Sequence, residues 1–165
     1  MFDPTPLLAP GATAPDGALA MDVFKDRVVT LDVAGNRLTI EDEASLARRI
    51  EGATELPMRV SREVWGVDPY VGVDTGQGRL WMVLDSGAGG VLLIARDNAA
   101  AFGLNPDAEG PQPLKFDLAP GVPVEGLAVT PEMMLLGNLG MPFMKDYVLT
   151  MDFPNQRLWV KRAAP

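Results

Sequence analysis

Arg79-Leu80-Trp81-Met82-Val83-Leu84-Asp85-Ser86-Gly87-Ala88-Gly89-Gly90-Val91-Leu92-Leu93-Ile94 places one acid, Asp85, in a turn of small residues between two apolar runs. A carboxylate loses hydration when it is drawn toward a core, so a chain keeps one there for a structural bond or for chemistry. The structural version is a turn aspartate that accepts hydrogen bonds from nearby backbone amides. The composition and spacing of the rest of the chain bear on the chemical version.

With 165 residues, the chain fits one domain, or one domain plus part of another. Gly 17 and Pro 15 favour short strands joined by many turns. The net charge of -8 argues against binding to phosphate backbones or anionic membranes. The absence of Cys excludes disulfides and thiol nucleophiles, and the absence of His excludes a Ser-His-Asp triad and the usual zinc sites. Acid-base chemistry therefore falls mainly to Asp and Glu. No apolar run is long enough to span a bilayer, and Met1-Phe2-Asp3-Pro4 does not open a signal peptide.

Residues 17–40 and 137–160 align without gaps at an offset of 120. Ten of the 24 positions are identical, including Leu19/Leu139, Lys25/Lys145, Thr30/Thr150, Asp32/Asp152, Arg37/Arg157 and Leu38/Leu158. Average residue usage gives roughly one or two identities by chance, so this is a duplication. Each copy reads as a helical turn followed by a hairpin, with strands at 28–33 and 37–40, then at 148–153 and 157–160. The acid turn belongs to the second copy, and its first-copy equivalent falls at position −35 (85 − 120), ahead of Met1. The expected organisation is the tail of a first lobe at 1–40, a linker helix within 41–56 and a second lobe at 57–165.

Within the second lobe, 70–73 and 79–84 read as a hairpin and 91–95 as a strand. Residues 97–103 read as a short helix capped by Asp97 or Asn98 and ended by Gly103. A second hairpin spans 114–129, and Met133–Leu136 reads as an apolar strand. Met133, Met134, Met141, Met144 and Met151 read as gap-filling core. Trp65, Trp81 and Trp159 read as structural, and Lys25-Asp26 and Lys145-Asp146 as solvated or local ion pairs of small value.

Leu84-Asp85-Ser86-Gly87-Ala88, followed some 55 residues later by Asn138-Leu139-Gly140, a helical turn and a closing hairpin, resembles one lobe of an aspartic peptidase of the retropepsin and pepsin kind. The likeness covers most of 60–162. It implies a mainly β fold: a closed barrel lobe with one or two short helices and a ψ-shaped loop in which the two signatures cross. It also implies a catalytic Asp85, supported by Ser86, Gly87 and Ala88 and crossed by Leu139 and Gly140. Ser86 and Gly87 are expected to hold the carboxylate through a hydroxyl and a backbone amide. Asp74-Thr75-Gly76 spells the same motif, but it lies in a hairpin turn and lacks the apolar strand that follows Asp85.

The reaction implied is peptide-bond hydrolysis by a water held between two aspartates, with no metal or organic cofactor. One acid is not enough. The partner comes either from a second copy of this chain, in a homodimer joined through the hairpins, or from a first lobe. First-copy Ala20, where the second copy has Gly140, departs from the pattern. The competing reading is a non-catalytic lobe that binds extended peptides by strand addition. A carboxylate glycosidase finds no acid pair to support it. Peptide or protein substrates are the implied partners, with no nucleic acid and no membrane.

Overall fold

The computed structural model describes residues 19–63 and 66–164. Trp65, Gly17 and the rest of 1–18 lie outside them. The fold is mainly β. Its strands are β1 (Val28–Asp32), β2 (Arg37–Glu41), β3 (Thr54–Glu63), β4 (Gly66–Thr75), β5 (Gly78–Leu84), β6 (Leu92–Ile94), β7 (Gln112–Asp117), β8 (Pro123–Val129), β9 (Gly137–Leu139), β10 (Tyr147–Asp152) and β11 (Arg157–Arg162). They form one mixed sheet in the order β2-β1-β10-β11-β3-β4-β5-β9-β6-β8-β7. Helix α1 (Glu43–Ile50) links the β1–β2 hairpin to β3, and α2 (Met141–Met144) follows β9.

The closed barrel expected from the sequence is not formed. Closure requires the two outer strands to hydrogen-bond to each other. Here β2 and β7 remain the ends of the sheet. Strand β7 exposes Lys115 and Asp117, and β2 ends the sheet on the far side of β1. The long strand β3 joins the two halves of the sheet. Its Thr54–Pro57 part pairs with β11, and its Met58–Glu63 part pairs with β4.

The duplication is built into the sheet. Strands β1 and β10 pair antiparallel with Thr30 opposite Thr150 and Val28 opposite Asp152. Because the register is centred on the equivalent residues Thr30 and Thr150, the hairpins are related by a local two-fold axis through the threonines. The two threonine hydroxyls are buried and lie 3.0 Å apart. Local geometry repeats too. Asp32 Oδ1 accepts from the Gly35 amide (2.8 Å) and Asp152 Oδ1 from the Asn155 amide (3.0 Å). Asn36 and Gln156, also equivalent, both take positive φ, 50° and 53°.

Helix α1 starts where the acids at 41–43 and the arginines near its end indicate. Asp42 caps it by accepting from the Ser45 amide, and Ser45 Oγ accepts in return from the Asp42 amide. The core runs from Phe24 and Val29 of the first copy through Met82, Leu92 and Leu139 to Leu158 of the second. Burial of one such side chain stabilises the fold by about 1.5–3 kcal/mol.

Several local expectations are corrected. Residues 133–136 form no strand; the apolar strand is β9, a few residues later. Met133 is half-buried and Met134 fully exposed, while Met144 and Met151 are core. The segment wraps a neighbouring turn instead, with Arg96 N–H donating to Pro131 O and Ala95 N–H to Leu136 O. The helix near 97–103 is a 3-10 turn over Arg96–Phe102 that follows Ala95 without a side-chain cap, although Gly103 does close it in the left-handed region (φ 69°). Asp26 and Asp146 pair with Arg62 and Arg162, not with the adjacent lysines.

The dyad predicts a specific coupling. Thr30→Val leaves the buried Thr150 hydroxyl unpaired and is expected to cost about 1–3 kcal/mol, whereas Thr150→Val leaves the Thr30 hydroxyl its bond to Glu41 and is expected to cost less. The double variant is expected to cost clearly less than the sum of the two, as measured by denaturant unfolding. Strict additivity would show that the two hydroxyls do not interact.

Candidate functional site

Strand β5 delivers the acid turn. Its last residues, Val83 and Leu84, pair parallel with Asn138 and Leu139 of β9, and the Asp85 N–H continues the ladder by donating to Leu139 O at 3.2 Å. On its other side β9 pairs antiparallel with β6, Leu93 against Asn138 and Ile94 against Gly137. Strand β9 is buried throughout and thus threads between the two strands that flank the acid turn. A three-residue strand cannot hold itself; neighbours on both edges satisfy its amides and carbonyls.

Beyond β9 the chain passes against the acid turn. Met141 N–H donates to Ala88 O at 2.8 Å, and Ala88 N–H closes the turn onto Asp85 O at 3.2 Å. Gly140 is required at the crossing. A Cβ there would lie 2.2 Å from Ala88 O and 2.7 Å from Ala88 Cβ. The residues quoted as the two halves of the signature, Asp85 to Ala88 and Leu139 with Gly140, therefore meet in space.

The Asp85 carboxylate is fixed at both oxygens. Oδ1 accepts from the Gly87 N–H at 2.8 Å, and Oδ2 accepts from Asn138 Nδ2 at 2.8 Å. The expected Ser86 clamp is absent: Ser86 is exposed and its hydroxyl has no partner among the described residues. The amide of Asn138, reaching across from β9, takes the oxygen that the hydroxyl was expected to hold. Asn138 is buried, and its Oδ1 lacks a partner among the described residues. The sequence reading gave Asn138 no role. A polar residue within the otherwise apolar 135–139 run was the available signal, because buried amides are seldom kept without a partner.

Asp85 opens onto a pocket of about 230 Å³. First-copy residues Leu19, Ala20 and Met21 line one side of it, and Asp68 of β4 also lines it. Continuing the β4–β5 register from Tyr70↔Val83 sets Asp68 opposite Asp85. The strand expected from the sequence covers only 70–73 and so leaves Asp68 outside it, whereas β4 begins at Gly66.

The rival acid Asp74 is used differently. Arg79 Nε and Nη2 grip its two oxygens at 2.7 and 2.9 Å. That bidentate bond holds its carboxyl below the usual aspartate range, outweighing the opposing effect of desolvation. Asp74 is an exposed hairpin ion pair remote from β9, a kind of pair worth little to stability.

The crossing predicts a steep, position-specific response. Gly140→Ala forces backbone apart at Ala88 and is expected to destabilise the fold by about 1–3 kcal/mol or more. Unfolding midpoints of Gly140→Ala and of the exposed control Gly89→Ala check this. Equal, small effects at both sites would show that the two segments do not cross closely. No family model matches this chain, and no curated protein matches it.

Proposed function

We propose that this chain carries one half of the catalytic site of an aspartic-type endopeptidase, in a lobe of the retropepsin-like kind, with Asp85 as its acid. The observation that carries this reading is the fixation of one carboxylate, by Gly87 and Asn138, in a turn crossed by β9 and opening onto a pocket. Ala20 lines the same pocket as Asp85. Its second-copy equivalent, Gly140, packs directly against the acid turn. By the local two-fold, a matching acid turn belongs beside Ala20, on the other side of the same pocket.

Two carboxyl groups so placed share one proton, because like charges a few ångström apart cannot both ionise. The ionised member takes a proton from a water held between them as the water attacks the peptide carbonyl. The protonated member donates to the carbonyl oxygen, and the leaving amine is protonated as the tetrahedral intermediate collapses. Asn138 and Gly87 donate to Asp85 and keep its carboxylate oriented. The exposed Gly89 and Gly90 leave the approach free for an extended substrate backbone.

Ala20 bears on the competing reading, a non-catalytic peptide-binding lobe. A methyl at that position excludes the close approach that Gly140 permits, so the matching turn must stand further off.

The test is hydrolysis of extended peptides at acid pH by the natural gene product. Asp85→Asn is expected to reduce the rate by roughly 10²–10⁴-fold, the range of a lost acid-base group, while Asp74→Asn stays active. Equal rates for Asp85→Asn and parent would remove Asp85 from the reaction. A folded but inactive parent would favour the non-catalytic lobe.

A further inference from the structure

The two copies of the duplicated hairpin differ sharply in what covers them. Leu19, Val23, Leu38 and Ile40 are 63, 62, 39 and 55% exposed, whereas their equivalents Leu139, Phe143, Leu158 and Val160 are at most 2% exposed. The second-copy residues are covered by the lobe that precedes them in the chain. Among the described residues nothing gives the first-copy residues, which present the same apolar face, an equivalent cover. Apolar side chains exposed repeatedly along one hairpin mark a candidate interaction surface.

The second copy also shows how the cover attaches. The outer edge of β11 is occupied by β3, in antiparallel register with Arg157 opposite Pro57, Leu158 opposite Leu56, Trp159 opposite Glu55 and Val160 opposite Thr54. Arg157 Nε and Nη2 fork onto Glu55 at 2.9 and 2.8 Å, and this bond holds the Glu55 carboxyl below the usual range. Strand β2, the equivalent of β11, ends the sheet with its outer edge unpaired among the described residues. Arg37 repeats Arg157, but it is exposed and among the described residues reaches only Asp32, at 3.8 Å.

We infer that β2 is a strand acceptor for a second lobe of the architecture of residues 54–162, whose strand equivalent to β3 adds antiparallel to Arg37–Ile40. The incoming strand carries a carboxylate opposite Thr39, within reach of Arg37, and an apolar residue opposite Leu38. A second copy of this chain does not fit the role, because its β3 is already held between β11 and β4. The inference rests on the duplication. It extends the proposed function by naming the partner that would bring the matching acid turn, and its test does not depend on Asp85.

The probe is a synthetic peptide with the sequence of residues 53–62 of this chain, titrated into the whole protein while backbone amide shifts and hydrogen exchange are followed. The expected result is a saturable response confined to 37–41, with slowed exchange of the outer β2 amides. Arg37→Glu is expected to weaken it by about tenfold or more, because the charge-assisted fork to the peptide glutamate is lost. Asp85→Asn is expected to bind the peptide like the parent. Retained strand addition in a protein without acid-dependent hydrolysis would then count against the proposed reaction alone. A β2 edge that stays unperturbed at about 1 mM peptide, a response elsewhere on the sheet, or an edge already protected by pairing between copies would each overturn the inference.

Discussion

The short strand β9 is the constraint on which the rest of the structure depends. Its three residues fill the gap between β5 and β6, pairing parallel on one side and antiparallel on the other. Without them the two halves of the acid turn have no common support, since β5 and β6 touch only through β9 in the sheet order. Insertion of β9 buries Leu139, brings the Asn138 amide to Asp85 and drives Gly140 against Ala88. Packing and site geometry therefore share one cause. The cohesion that comes from filling the sheet also determines where the carboxylate points.

The second organising element is the local two-fold through Thr30 and Thr150. It makes the first-copy hairpin an integral part of the sheet, with Phe24 and Val29 fully engaged in the core. It also places Ala20 at the pocket of Asp85. One side of the hairpin is thus satisfied by the second copy, and the other offers apolar side chains and an open strand edge. Natural sheets usually blunt such edges with charge or cover. On β2 the charge is Arg37, whose counterpart in the second copy is already matched by a glutamate on the neighbouring strand.

Much of this was legible because the relevant signals were local or periodic. The duplicated hairpins, the linker helix with its acidic start, and the turn at Asp85 followed from identities, dipole-matched charges and small residues between apolar runs. The meeting of Asp85 with Gly140 was reachable only through a resemblance, since no local property links residues so far apart in sequence. Other features were hidden for physical reasons. Asn138 reads as a polar interruption until a neighbouring strand brings Asp85 to its amide. Asp68 becomes a neighbour of the site only through a register set by the whole β4–β5 hairpin. The apolar string at 133–136 misled because composition alone cannot distinguish a buried strand from a segment held outside by two backbone hydrogen bonds. Barrel closure depends on whether distant outer strands meet, which neither end strand encodes.

The most direct measurement is native-state hydrogen exchange at the amides of Asp85 and Met141. These amides donate to Leu139 O and Ala88 O across the crossing. If β9 locks the acid turn into the sheet, both should exchange only through openings close to global unfolding, in step with the core amides of β5. Exchange at the rate of the exposed Gly89 and Gly90 amides would show Asp85 on a free loop and contradict the account.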